Sequence, residues 1–306
     1  VRSNATLSVA ICTHNRPHAA VALADSLRTL LAAHGIALAV VDSASEGSAA
    51  EILADAFRDT EVRLLRLDEP GVSLARNTAL AWATSEWLAF LDDDEQVPAD
   101  WVSAALSLCS RLPDDCAACG GNVLPRWPDE TVRNIGPRWR NFLSIIDQPG
   151  EFDQTARHQF GIGHSIVRTD ALRSIGGFSL RLGRRGKVLL SGEEALLVEQ
   201  LIRAGWKIWH SDTIAVQHMI PPERLDMKWA LERAYWEGIS FSRVLGGVDA
   251  EAQARLFRSV HVKLPLLRVL ASLWPSQGLR LRLAFIKGVC FESREQVRSP
   301  KASRQF

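Results

Sequence analysis

Residues 87–95 read Trp87-Leu88-Ala89-Phe90-Leu91-Asp92-Asp93-Asp94-Glu95, an apolar run that stops abruptly at adjacent aspartates. Such a run has the character of a buried strand. Carboxylates at the end of a buried strand need partners, and neighbouring ones resist ionising together. A divalent cation meets both demands, and an oxygen-rich site suits Mg2+ or Mn2+. In an open α/β sheet the carboxyl ends of the strands are also where ligands bind. The chemistry implied is a metal-assisted reaction on a phosphate-bearing substrate. Taken alone, the cluster also fits a solvated acidic turn, with Asp93 the member expected to be merely exposed.

The elements that position these residues alternate in type. Strands are expected at 7–13, 36–41, 62–67 and 87–91, and helices at 18–34, 48–58 and 73–84. This order implies parallel βα units in a doubly wound sheet. Strand ends then gather on one edge and bring Thr13, Asp42 and the Asp92 cluster together. Beyond Asp94 a helix is expected at 98–111, strands at 117–123 and 163–168, and helices at 170–175 and 193–204. Residues 206–209 and 213–218 look extended, 124–160 lacks a clean period, and the chain from Pro222 is mainly helical. Ser3-Asn4-Ala5 has the look of a vector scar, so residues 1–5 are set apart. The expected division is 6–220 as one catalytic domain, with halves 6–123 and 124–220, and 221–306 as a helical C-terminal extension.

Composition narrows the class. The 306 residues are 47% hydrophobic, enough for a sizeable core, and 36 Lys and Arg nearly balance 35 Asp and Glu, which gives no global reason to bind nucleic acid. Five cysteines and no signal peptide fit free thiols in a reducing, cytoplasmic compartment. Cys116 and Cys119 form a CxxC with no second pair at metal-binding spacing, so buried thiols are expected rather than zinc. No stretch is long and apolar enough to span a bilayer.

Five segments together resemble the family 2 glycosyltransferases of the GT-A fold, a Rossmann-like α/β architecture. They are Val9-Ala10-Ile11-Cys12-Thr13-His14-Asn15-Arg16, Val40-Val41-Asp42-Ser43-Ala44-Ser45, Gly71-Val72-Ser73-Leu74-Ala75-Arg76-Asn77, the Asp92 to Asp94 cluster, and Gly192-Glu193-Glu194. Arg173-Ser174-Ile175-Gly176-Gly177-Phe178 matches the family's Gly-Gly-Phe turn. The likeness covers roughly residues 7–219, and the order and spacing of the segments make it specific. It implies an inverting enzyme that moves a sugar from a nucleotide sugar to an acceptor hydroxyl. Thr13, Asn15, Arg16, Asp42, Arg76 and Asp92 then belong to the nucleotide site. Asp94 matches the main metal ligand, and a histidine at the place of His218 often completes the Mn2+ or Mg2+ shell, although a lone histidine is more often structural. Glu194 stands where the family's base is an aspartate, one methylene shorter, and Glu193 is the fallback base or an acceptor contact. His164, between glycine-rich neighbours, lies where such enzymes bind acceptor or donor sugar, or it is a packed core histidine. UDP is the nucleotide used most often in the family.

Other features keep alternatives open. Two acids in a helix's first turn also suit the macrodipole. Gly183-Arg184-Arg185-Gly186-Lys187 is a basic loop able to close over a diphosphate, or a solvated charge run. Trp127 and Trp139, among Arg126, Arg138 and Arg140, suit packing more readily than stacking on a sugar. Residues 264–291 mix apolar and basic residues, with Leu279, Leu283 and Ile286 able to share one helical face that the basic residues largely avoid. They suit a helix packed on the catalytic domain, or one lying on an anionic membrane at its inner face beside a lipid-linked acceptor. Gln200-Leu201-Ile202-Arg203-Ala204 departs from the Gln-x-x-Arg-Trp motif of processive synthases, which favours single additions. A sugar-1-phosphate nucleotidyltransferase is the competing enzyme, although Thr13-His14-Asn15-Arg16-Pro17 is not the Gly-rich loop a triphosphate needs. A non-catalytic nucleotide-sugar binder is the third reading.

Overall fold

A computed structural model describes residues 6–129, 135, 137–157, 160–274 and 276–298. Residues 1–5, Pro275 and residues 299–306 lie outside the described residues. The first seven elements follow the expected alternation: β1 (Leu7–Thr13), α1 (Pro17–Ala33), β2 (Ala37–Asp42), α2 (Ser48–Phe57), β3 (Arg63–Arg66), α3 (Val72–Trp82) and β4 (Trp87–Asp92). Next come β5 (Glu95–Gln96), α4 (Trp101–Arg111), β6 (Cys116–Gly120), β7 (Val123–Arg126), α5 (Pro137–Phe142), β8 (Glu151–Asp153), β9 (His164–Arg168) and α6 (Thr169–Ser174). The chain closes with α7 (Glu193–Arg203), β10 (Lys207–Ser211), β11 (Val216–Met219), α8 (Met227–Val248), α9 (Ala250–Leu273) and α10 (Gln277–Arg298).

The main sheet has the order β3-β2-β1-β4-β9-β6-β10-β8. Pairings among β1 to β4 are parallel, as is β6 with β10, whereas β9 runs antiparallel between β4 and β6. Alternate residues of each inner strand serve opposite faces. Leu7, Val9, Ile11, Trp87, Ala89 and Leu91 pack with α1, α2 and α4, while Ala10, Cys12, Leu88 and Phe90 pack with α3, α6 and α7. The sheet is therefore doubly wound. Fully burying one large apolar side chain contributes about 1.5–3 kcal/mol. A one-residue slip of β4 would turn Trp87, Ala89 and Leu91 to the wrong face, so packing fixes where Asp92 emerges. The cysteines are free and buried, in keeping with inert thiols.

Two differences from the sequence expectation stand out. The strand expected at 117–123 is broken in two. Asn122 donates to the Gln148 carbonyl and accepts from the Gln148 N–H, and Val123 then joins β7 in a separate sheet, β5-β11-β7. The irregular stretch 124–160 holds β7, α5 and β8, where Trp139 is buried and donates to the Arg224 carbonyl at 2.9 Å. Contacts group the chain into two compact units. One unit comprises Val1–Arg126, Ile145–Phe178 and Leu197–Met219, and the other Trp127–Ser144, Ser179–Leu196 and Ile220–Phe306. The two excursions, 127–144 and 179–196, cluster with the C-terminal helices rather than with the sheet.

In that second unit α8 and α10 meet backbone to backbone. A Cβ on Gly238 would lie 2.1 Å from the Phe285 carbonyl oxygen, and one on Gly288 would lie 1.9 Å from that of Tyr235. We expect Gly288→Val to lower stability by ~2 kcal/mol or more through overpacking. Gly278→Ala, with open space around it, should be neutral or slightly stabilising; thermal melts of the two variants check the contrast.

Candidate functional site

Register builds the site. Thr13 pairs with Asp42 across β1 and β2, and Cys12 pairs with Asp92 across β1 and β4. The carboxyl ends of three parallel strands thus share one edge, the usual ligand edge of such a sheet. Short hydrogen bonds stitch the loops above it together. Ser43 N–H donates to the Thr13 carbonyl at 2.8 Å, Asn15 N–H to Ser45 Oγ at 2.8 Å, and Glu46 N–H to Asn15 Oδ1 at 2.8 Å. Asn15 holds φ at +57°, a conformation asparagine tolerates better than most residues. Asp42 is fully buried; it accepts from Ser45 N–H at 2.9 Å and from Arg66 at 2.6 Å.

The three aspartates diverge. Asp92, at the strand's end, has its Oδ1 3.4 Å from the buried Arg76 guanidinium on α3. A Cβ on Gly163 would lie 2.2 Å from its Oδ2, so a side chain there would displace the Asp92 carboxylate. Asp93 turns inward, contrary to the expectation that it is exposed. It is 2% exposed, accepts from Thr13 Oγ1 at 2.6 Å and pairs with Arg16 at 2.5 Å. Burial raises its pKa to about 7 against the pull of Arg16. Asp94 pairs with the same Arg16 at 2.7 Å and lies 3.6 Å from His218 Nε2. Burial works against the charge of Arg16, but Asp93 and Asp94 overrule it and shift its pKa upward.

His218 reaches this position because β11 pairs with β5. It lies opposite Glu95, and Met219 N–H donates to the Asp94 carbonyl at 2.9 Å. Asp94 and His218 make a two-member donor set, and among the described residues no group of three or more His, Cys, Asp or Glu forms a metal cage. Two protein donors suit a cation that takes its remaining ligands from substrate phosphates and water, as Mg2+ and Mn2+ sites commonly do. The residues present fit such an ion.

His164 is placed otherwise than a sugar contact requires. Its ring is 2% exposed, and Nε2–H donates to the Ile214 carbonyl at 2.6 Å. Burial lowers its pKa to about 4, so the imidazole is neutral. Its Nδ1 lies 3.9 Å from Glu95, whose carboxyl burial, then Asp92 and Asp94, push well above the ordinary range. Sequence reasoning missed Glu95, Arg66 and Ser45. An acid beyond a triplet of acids, or a charge on a short strand, carries no signal until its partner is known.

The second unit holds the other candidates. Glu193, buried, and Glu194, half-buried, open α7 after Gly192. Ser191 ties this turn to α8: its N–H donates to Ser240 Oγ at 2.9 Å, and its Oγ meets both Glu237 and Arg233 at 3.0 Å. Arg233 and Glu237 also line a cavity of about 220 Å3 with Asn141, Phe142, Leu281 and Phe285. Arg184 and Arg185 are exposed; a small hairpin closed by Arg185 and Val188 presents them.

The model of the family described as "Glycosyl transferase family 2" matches residues 8–171. The glucosyl-dolichyl phosphate glucuronosyltransferase of Haloferax volcanii is 25% identical over 197 residues, covering 61% of this chain and only 60% of that protein. The succinoglycan biosynthesis protein ExoM of Rhizobium meliloti is 28% identical over 254 residues, 78% of this chain and 75% of that one. Mannosyltransferase PcManGT from Pyrobaculum calidifontis, solved in complex with GDP-Man and Mn2+, aligns over 97% of this chain and 88% of its own, with a TM-score of 0.57 and 18% identity. That likeness shows the fold.

The neutral buried imidazole gives a pH signature. His164 has a depressed folded pKa, so the unfolded chain takes up its proton first. Its contribution is full above about pH 6.5 and is lost as the pH falls to about 4. Denaturant unfolding should show wild type losing up to ~3 kcal/mol more than His164→Gln between pH 7 and pH 4. Parallel curves for the two proteins would show that the imidazole is not buried neutral.

Proposed function

The chain belongs to glycosyl transferase family 2, and on that premise we propose that it transfers a sugar from a nucleotide sugar to an acceptor hydroxyl with inversion, in the synthesis of a cell-surface glycan or glycoconjugate. The observation that carries this reading is the convergence of Thr13, Asp42, Asp92, Asp93 and Asp94 on one sheet edge, with His218 3.6 Å from Asp94. Thr13, Asn15, Arg16, Asp42, Arg76 and Asp92 form the nucleotide site. Asn15 and Asp42 act chiefly by fixing the two loops that floor it. Asp94 and His218 would hold a divalent cation, which would supply positive charge to offset the negative charge that grows on the departing nucleoside diphosphate.

The acceptor hydroxyl is a poor nucleophile until its proton is removed. Glu194 takes that proton as the hydroxyl oxygen bonds to the anomeric carbon. The bond from that carbon to the diphosphate breaks, and its electron pair leaves with the nucleoside diphosphate. A single displacement of this kind inverts the anomeric centre. Glu193, the more buried acid, orients the turn or binds acceptor hydroxyls. Arg184 and Arg185 are assigned to the diphosphate or to anionic groups of the acceptor. His164 holds β9 in place instead of touching sugar. UDP is the favoured nucleotide by family frequency, and GDP is the competitor raised by the Pyrobaculum neighbour.

Melting shifts with UDP-, GDP- and dTDP-sugars, with and without Mn2+, test the reading. One donor should stabilise the chain by several degrees only when Mn2+ is present. Asp94→Ala should abolish that shift, and an unchanged shift removes Asp94 from the metal site. Glu194→Gln should retain donor binding and lower transfer at least ~100-fold. Near-normal transfer would move the base to Glu193. A requirement for a nucleoside triphosphate with release of pyrophosphate would instead identify a nucleotidyltransferase.

A further inference from the structure

The C-terminal helices carry a surface that sugar transfer does not use. From Ala252 to Phe291 the chain runs for 40 residues without an acid, yet it contains Arg255, Arg258, Lys263, Arg268, Arg280, Arg282 and Lys287. The whole chain has a net charge of only +1, so this stretch is a local concentration of positive charge.

Apolar residues occupy both faces of α9 in its second half. One face packs: Val260, Leu264 and Leu267 are buried against Ile286, Val289 and Cys290 of α10. Leu279 and Leu283, the apolar face legible in the sequence of α10, are consumed in the same contact. The opposite face does not pack. Val262, Leu266, Val269 and Leu273 are 79%, 61%, 56% and 63% exposed, and Trp274 just beyond them is 69% exposed. Spacings of four, three and four residues place the four aliphatic side chains on one stripe, about 17 Å long at 1.5 Å per residue. Lys263 and Arg268, both exposed, flank it.

We propose that this face of α9 docks the protein on an anionic lipid bilayer, lying in the interface with the aliphatic stripe and Trp274 in the acyl boundary and the basic residues at the headgroups. An exposed apolar stripe calls for a partner. A helix with such a stripe, basic flanks and a terminal tryptophan has the make-up of an interfacial helix. Among the described residues no helix is long and apolar enough to cross a membrane, which suits a helix that lies on the surface. A second copy of the chain is a poorer occupant, because pairing two such faces would set Lys263 and Arg268 against their own like charges. The proposal is independent of the donor and acceptor chemistry, and its test needs neither.

The full chain is sedimented with vesicles of phosphatidylglycerol and phosphatidylcholine, and with phosphatidylcholine alone. We expect binding to the anionic vesicles, little to the neutral ones, and release by high salt. Leu266→Ser with Leu273→Ser, and separately Lys263→Glu with Arg268→Glu, should each weaken partitioning by more than ~10-fold. All four positions are exposed, so melting temperature should stay unchanged. As a check that perturbs packing least, brominated lipid should quench a component of tryptophan fluorescence that Trp274→Phe lacks. No binding to anionic vesicles, binding indifferent to both double variants, or a dimer in sedimentation velocity that the serine variant dissolves in place of vesicle binding would overturn the proposal.

Discussion

Asp92, Asp93 and Asp94 leave a buried strand side by side, and their mutual repulsion is the constraint this sheet edge is built around. Two carboxylates about 5 Å apart repel by ~3 kcal/mol at an effective dielectric of about 20. One neutral hydrogen bond returns about 1 kcal/mol, so Thr13 alone cannot hold Asp93 inside. Cations must share the task. Arg16 bridges Asp93 and Asp94, and Arg76 answers Asp92 from α3. The three carboxyl groups are thereby sent in three directions, and Asp94 comes to rest beside His218.

Packing decides where this happens. The apolar residues of β1, β2 and β4 fix their parallel register, and register sets Thr13 beside Asp42 and Cys12 beside Asp92. The histidine arrives by a different route, through a three-stranded sheet in which β11 pairs with β5 just past the acidic turn. Hydrophobic burial thus supplies the precision, and the charged groups inherit it.

Much of this was legible in the sequence because it is local. Continuous apolar runs mark β1, β2 and β4, and their ends name Thr13, Asp42 and Asp92. What escaped was long-range. The burial of Asp93 depends on Thr13, 80 residues away in sequence, so no window around residue 93 reveals it. Of the two readings open for His164, packing is decided by the Ile214 carbonyl, 50 residues on. A short apolar run gives no direction, so the antiparallel sense of β9 was hidden. The clustering of 127–144 and 179–196 with the C-terminal helices was hidden too, because neither segment has a period. On α10 the sequence showed an apolar face but not that α9 covers it. The stripe on α9 became visible only once its other face was seen to be filled.

The central claim is that the acidic end of β4, with His218, grips a divalent cation jointly with a nucleoside diphosphate. Electron paramagnetic resonance of free Mn2+, titrated with the protein in the presence and absence of UDP or GDP, tests it most directly. The account predicts weak loss of the free-ion signal with protein alone and a much stronger loss when the matching diphosphate is added. A signal that the diphosphate does not lower beyond what nucleotide and protein each sequester separately would contradict it.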